Sequence, residues 1–293
     1  MCGIVGAISN TNIVHNLIEG LERLEYRGYD SAGIALLNSK IERVRSTGRV
    51  SSIKEKFLEN KMEGSLGIGH TRWATHGGVT ENNAHPHVSN NQIAVVHNGI
   101  IENHEAQCER LKEIGYRFES QTDTEVIAHL IHFYYKKQNS LLEASYKALN
   151  DLEGAFAIAV IAVDKKDQLV CARKGCPLII GVAEEKYLIA SDASAIIPST
   201  NNIIYLEDGD IARLTKNSME IYDGSFKAVK RSVHKSKISL ESMELGPYDH
   251  FMQKEIYEQP RAIADTIEAV IDNNIFETSL LGKNADHILK DVN

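Results

Sequence analysis

The chain has 293 residues, 43% hydrophobic and 25% charged, with 32 Lys and Arg against 40 Asp and Glu for a formal net charge of -8. That composition suits a folded protein with a sizeable core, and the acidic balance without a basic stripe argues against nucleic acid as a partner. The longest apolar stretch, Ala155 to Val163, has about half of the roughly 20 residues that a membrane-spanning helix needs, and Glu153 and Asp164 flank it, so no membrane partner is expected.

The N-terminal MCGIVGAIS lacks the basic segment of a secretory signal, which leaves a cytoplasmic location as the default expectation. Residues 3 to 8 are short, apolar and glycine-bounded like a strand. Asn12 to Tyr26 then sets Leu17, Leu21 and Leu24 at helical spacing, with an end at Gly28. Strand-like runs follow at 33–37, 66–70, 93–96, 156–163, 169–172, 178–182, 187–190 and 203–205. Several are apolar on every residue and so need cover on both faces, which favours stacked sheets with helices outside. Helices are expected over 105–114, over 123–137 with Thr122 and Glu125 in capping-box spacing, and over 140–150. After about Asp223 a basic polar stretch and MELGPYDHFMQKEIYEQP read as a linker, with helical patterns over the last 40 or so residues, too few to build their own core.

Four cysteines, Cys2, Cys108, Cys171 and Cys176, show no CxxC pairing and read as reduced thiols. Cys2 stands apart because it directly follows the initiator Met. Removal of Met1 would leave a thiol beside a free α-amine, and their reference pKa values, about 8.5 and about 7.7 to 8.0, make proton transfer between them nearly balanced. Alone, Cys2 is equally consistent with chance.

The surroundings of Cys2 carry more. MCGIVGAI is followed by LEYRGYDSAG at 24–33, GHTRWATHG at 69–77, NAHPHV at 83–88, VVHNGIIENH at 95–104 and TDTE at 122–125. In these motifs the chain resembles the class II glutamine amidotransferases, which are N-terminal nucleophile hydrolases. Within them YRGYDSAG, HTRWATHG and MQKEIYEQP look like the glutaminase domains of the glutamine:fructose-6-phosphate aminotransferases. The resemblance covers about residues 2 to 225.

It implies an α+β fold, a four-layer αββα sandwich with two stacked antiparallel sheets. The implied domains are a glutaminase domain at 2–225 and, at 226–293, a linker and helical lead-in to a sugar isomerase domain that lies beyond this chain. It implies L-glutamine as substrate, Cys2 as nucleophile, and the Asn98 side-chain amide with the Gly99 backbone N–H as oxyanion donors. Arg72 would bind the substrate carboxylate and Asp123 its ammonium. Trp73, Thr75 and His76 would line the pocket, with Arg27, His85 and His97 in support. It implies no cofactor, and oligomerisation through the isomerase domain, with this part alone a monomer or weak dimer.

Elementary chemistry is compatible with each assignment. Arg72 can fork onto a carboxylate but could equally make a surface ion pair. Asp123 at a helix start would stay ionised but could serve only as a cap. Asn98-Gly99 could be a plain turn, and Trp73 a core anchor. The histidines His70, His76, His85, His87, His97 and His104 could suggest a metal, yet no Cys or carboxylate partner shows ligand spacing, so no metal is expected. Two other readings stay open: an amidophosphoribosyltransferase-type glutaminase domain, and a glutamine-sensing module without catalysis if Met1 is retained.

Overall fold

Nine apolar residues in succession are stable in a strand only if both of its faces are dry. The computed structural model, which describes residues 2–74, 77–236, 246–272 and 275–276, meets that requirement by stacking two sheets inside two layers of helix. The chain divides into two units, residues 1–238 and 239–293.

The first unit begins with β1 (Gly3–Ser9), α1 (Val14–Leu24), β2 (Ser31–Leu37), β3 (Ile41–Thr47), α2 (Val50–Asn60) and β4 (Leu66–Arg72). After β5 (His87–Ser89) and β6 (Ile93–Ile101) come three helices, α3 (His104–Glu113), α4 (Thr124–Gln138) and α5 (Leu141–Asn150). The remaining strands are β7 (Gly154–Ala162), β8 (Leu169–Lys174), β9 (Ile179–Ala183), β10 (Lys186–Ala190), β11 (Asn202–Tyr205), β12 (Ile211–Leu214), β13 (Met219–Tyr222), β14 (Ala228–Val229) and β15 (Val233–Lys235). They form an eight-stranded sheet, β15-β11-β9-β10-β1-β4-β2-β3, and a seven-stranded sheet, β14-β13-β12-β8-β7-β6-β5, antiparallel throughout. The expected four-layer αββα sandwich is the observed architecture. In the second unit α6 (Phe251–Val270) contains Pro260 and is followed by the short pair β16 (Ile271–Asp272) and β17 (Ile275–Phe276).

The period of two along each strand sorts its side chains between layers. In β7, Ala157, Ala159 and Ile161 enter the core between the sheets, where they meet Ile4, Ile8, Leu66 and Ile68. Ile158, Val160 and Ala162 face the other way, into a second core built with Val126, Ile127, Leu130 and Leu141 of the helices. On the outer face of the eight-stranded sheet, α1 lays its buried stripe Leu17, Leu21 and Leu24 over β1 and β4. Gly67 and Gly69 of β4 make that approach possible. A Cβ on Gly67 would lie 2.9 Å from Leu17 Cδ1, and one on Gly69 3.0 Å from Leu21 Cδ1.

Some elements are absent from the expectations above. β3 is only half-buried along its length and carries Glu42, Arg43 and Arg45, so no apolar alternation marks it. The edge strands β5, β14 and β15 have two or three residues each, too few to show a period. The Thr122–Glu125 capping box does not form. The Thr122 hydroxyl is engaged with His87 Nε2 at 3.0 Å, and Glu125 instead accepts from the Glu119 and Ser120 N–H groups at 2.9 and 2.7 Å.

Leu21 is fully buried, so Leu21→Ala should remove its transfer energy and leave a cavity beside Gly69, costing about 2–5 kcal/mol. Chemical denaturation is expected to give a lower midpoint with an unchanged m-value.

Candidate active site

Strand parity decides which side chains meet at one end of the sandwich. Ile4 and Ile8 of β1, Leu66 and Ile68 of β4, and Ala94 and Val96 of β6 all point into the space between the sheets. Two residues on from each set lie Cys2, His70 and Asn98, and Arg72 follows on the same face as His70. Cys2 and Arg72 thus come from the eight-stranded sheet and Asn98 from the seven-stranded one. Cys2 and Arg72 line a cleft with Trp73, His85, His97, Gly99, Thr122, Asp123 and Thr124; Asn98 lies outside that lining, against Cys2.

The Cys2 sulfur accepts a hydrogen bond from the Trp73 N–H at 3.3 Å, and its thiol lies 3.6 Å from the Trp73 carbonyl. Burial pushes the Cys2 thiol up; the Trp73 backbone bond and the nearby Arg72 charge oppose this without cancelling it. The sulfur therefore rests as a neutral thiol, and its activation needs a base. Asn98, nearly buried at the end of the inter-sheet space, donates from Nδ2 to the Cys2 carbonyl at 3.2 Å, while its Oδ1 faces His70 Nε2 at 2.9 Å.

Gly99 has φ +132°, and a Cβ there would meet the Ala155 carbonyl oxygen at 2.0 Å. Only glycine fits that backbone against β7.

Two charged groups line the cleft, Arg72 from β4 and Asp123 from the start of α4. The buried Arg72 guanidinium donates to the carbonyls of Gly78 at 3.2 Å and Gly77 at 3.4 Å. That loop is itself braced by Asn83 and Gln121, whose side chains meet at 3.1 Å. Asp123 sits at the N-terminus of α4 and makes no capping bond with its side chain; its Oδ2 accepts from the Ile101 N–H at 2.9 Å. A cation and an anion thus share one cleft with a thiol, which is the polarity needed to orient a zwitterionic amino acid.

The supporting residues divide. His97 Nδ1 bonds the Thr124 hydroxyl at 2.9 Å, and His85 Nδ1 accepts the His97 N–H at 3.3 Å. Both rings line the cleft, and burial holds both below the ordinary histidine range, as neutral groups. Arg27 lies outside the cleft lining, pairs with Asp192 and donates to the Tyr26 hydroxyl at 3.0 Å. Trp73 lines the cleft through a side chain that is 55% exposed, so it is a rim residue and not a core anchor. Thr75 and His76 lie outside the described residues. Among the described residues, no three His, Cys, Asp or Glu side chains are grouped to hold a metal, and no helix is long and apolar enough to cross a membrane.

Residues not singled out from the sequence also belong here. Asp30 accepts the Ala74 N–H through Oδ2 and so fixes the chain just after Trp73. Thr122 and Thr124 line the cleft on either side of Asp123. All three sit inside the quoted motifs, which was the available signal; their directions depend on strand and helix placement.

A family model described as a glutamine amidotransferase domain matches residues 70–198. Among curated proteins, the chain is 56% identical over 293 residues to a glutamine–fructose-6-phosphate aminotransferase (isomerizing) of Xanthomonas campestris, covering 100% of this chain and 48% of that protein. Its counterpart from Neisseria meningitidis serogroup A is 55% identical over 296 residues, again with 100% and 48% covered. The chain thus spans about half the length of the curated relatives it matches. Among solved structures, the glutamine phosphoribosylpyrophosphate amidotransferase of B. subtilis, complexed with ADP and GMP, aligns with a TM-score of 0.66 at 26% identity, covering 78% of this chain and 50% of that one.

The segment leading to Asp123 depends on Glu125. Burial alone would raise its carboxyl, but the His129 ring 3.6 Å away and the bonds from the Glu119 and Ser120 N–H groups and the Ser120 hydroxyl outweigh this and hold it down to about 2. A depressed carboxyl contributes stability that is present above its unfolded value, near 4.5, and lost as pH falls toward 2. Glu125→Gln should cost about 1–3 kcal/mol at neutral pH. It should also flatten the acid limb of stability between pH values of about 4.5 and 2, read by denaturant titration at several pH values.

Proposed function

We propose that this chain is a glutamine amidotransferase domain and that it hydrolyses the side-chain amide of L-glutamine through Cys2, freed as the N-terminal residue by removal of Met1. The observation that carries this reading is the convergence of Cys2, Arg72, Gly99 and Asp123 on one cleft, with the Asn98 amide against the Cys2 carbonyl.

In this reading the Arg72 guanidinium takes the α-carboxylate of glutamine and Asp123 takes its α-ammonium, with Trp73, Thr75 and His76 completing the pocket. The side-chain amide then reaches the sulfur. Because burial keeps Cys2 a thiol at rest, the freed α-amine accepts the thiol proton as sulfur attacks the amide carbon. The C=O electron pair moves to oxygen, which is received by the Asn98 Nδ2–H and the Gly99 N–H; each such donor contributes roughly 2.7–4 kcal/mol to the transition state. Collapse of the intermediate breaks the C–N bond, and the ammonium form of the α-amine returns its proton to the departing ammonia. Water then attacks the thioester with the same amine as base, releasing glutamate and the thiol. His85 and His97 brace β6 and the start of α4 beside the cleft, and Arg27 ties Tyr26 to Asp192 outside it.

In this reading residues 2–225, completed by the edge strands β14 and β15, form the glutamine-processing domain, and the rest leads toward a sugar isomerase domain in the remaining length of the protein. The ammonia would there convert fructose-6-phosphate to glucosamine-6-phosphate. The 56% identity to a fructose-6-phosphate aminotransferase over the whole chain, against 26% to a phosphoribosylpyrophosphate amidotransferase, favours this branch.

Cys2→Ala should abolish glutamine hydrolysis, measured as glutamate release, and block stoichiometric labelling by an electrophilic glutamine analogue. Retained turnover in that variant would refute the assignment. Arg72→Lys and Asp123→Asn should raise the KM for glutamine by about 10-fold or more, with a smaller effect on kcat, since each removes a contact made to the ground state and transition state alike.

A further inference from the structure

We propose that His70 is a positioning residue for the reaction, a neutral hydrogen-bond donor that fixes the rotation of the Asn98 amide so that its N–H bonds face the reacting centre. The proposal rests on the reading of Asn98 as an oxyanion donor and adds a requirement that reading does not contain.

The atoms leave one consistent assignment. The Cys2 carbonyl can only accept, so the Asn98 atom 3.2 Å from it is the amide nitrogen. The other amide atom, 2.9 Å from His70 Nε2, is therefore the amide oxygen. An amide oxygen also only accepts, so His70 carries its proton on Nε2 and donates it. One N–H of Asn98 is thereby aimed at the Cys2 carbonyl, and the second is left for a substrate oxygen. Were the amide to rotate by half a turn, its oxygen would face the Cys2 carbonyl and the developing oxyanion, turning a donor into a repulsive acceptor.

His70 is built to hold one orientation. It is fully buried on β4, on the sheet opposite Asn98, so the bond crosses the seam between the two sheets. The His85 ring stacks on it with centroids 4.0 Å apart and planes 18° apart. His85 is in turn pinned by the His97 N–H at 3.3 Å. Burial drives the His70 ring down to about 3, only partly offset by the bond to Asn98, so it is neutral at working pH.

Substitutions at His70 and Asn98 test this on the chain as it stands. His70→Leu should lower kcat for glutamine hydrolysis by up to about 100-fold, the scale of losing one oxyanion donor, with KM changed less than about twofold. His70→Gln, whose amide N–H can occupy the Nε2 position, should recover most of that loss. Binding should split in the same way. The aldehyde analogue of glutamine, which forms a tetrahedral adduct on Cys2, should bind His70→Leu more weakly by the factor lost in kcat. L-glutamate, held by Arg72 and Asp123, should bind unchanged.

In an Asn98→Ala background the His70→Leu change should slow turnover no further, because the two act as one unit. A further slowing there, equal losses in glutamate and aldehyde binding, no rescue by Gln, or wild-type kcat in His70→Leu would overturn the proposal. If Asn98→Ala itself leaves kcat unchanged, the oxyanion assignment fails first and this proposal falls with it. If Asn98→Ala is slow and His70→Leu is not, the positioning role alone is lost.

Discussion

The seam between the two antiparallel sheets is the constraint on which the rest of the molecule depends. Its apolar part, Ile4, Ile8, Leu66 and Ile68 from one sheet against Ala94, Val96, Ala157 and Ile161 from the other, excludes water and fixes how the sheets lie against each other. Burial of each large aliphatic side chain contributes roughly 1.5–3 kcal/mol. At one end the same strands continue as Cys2, His70, Arg72 and Asn98, so the period that fills the core also aims polar groups at one another. Thiol and amide sit on different sheets, and their separation is set by core packing and not by any loop.

That origin accounts for the electrostatics of the cleft. Groups at the end of a dry seam are desolvated, which leaves the histidines neutral and the Cys2 thiol protonated. The two charged side chains have local hydrogen-bond partners: Arg72 lies against two loop carbonyls, and Asp123 accepts a backbone N–H at the start of α4. A hydrogen bond or ion contact in such a place is stronger than in water, and an unsatisfied group more costly. The loop carrying Gly77 and Gly78 is braced by Asn83 and Gln121, so the seat of Arg72 depends on residues outside the cleft lining.

The histidines illustrate the difference between composition and placement. Six of them fall between positions 70 and 104, a density that suggests metal in a one-dimensional reading. In the fold His70 reaches Asn98, His85 stacks on His70, His87 reaches Thr122, and His97 reaches Thr124. Each ring nitrogen in these contacts meets an amide or hydroxyl, so the group acts as a rigid neutral scaffold around the oxyanion donors.

The sequence by itself determined the layered fold and the chemical cast. Runs such as 156–163 that are apolar on every residue demand two covered faces, and the ordered motifs around Cys2, Arg72, Asn98 and Asp123 name the groups. Residues whose meaning lies in direction were not legible. Nothing in the string LGIGHTR distinguishes His70, which crosses to the other sheet, from Thr71, which faces α1. The Thr122–Glu125 spacing promised a cap and instead became two separate anchors, because His87 and the 119–120 backbone offered closer partners. Half-exposed β3 and the short edge strands carried no pattern, since they take their structure from neighbours already in place. Residue type and period are local properties that the chain carries with it. The tautomer of His70, the rotation of Asn98 and the room for Gly99 against Ala155 exist only once two sheets have packed, because each is defined by an atom distant in sequence.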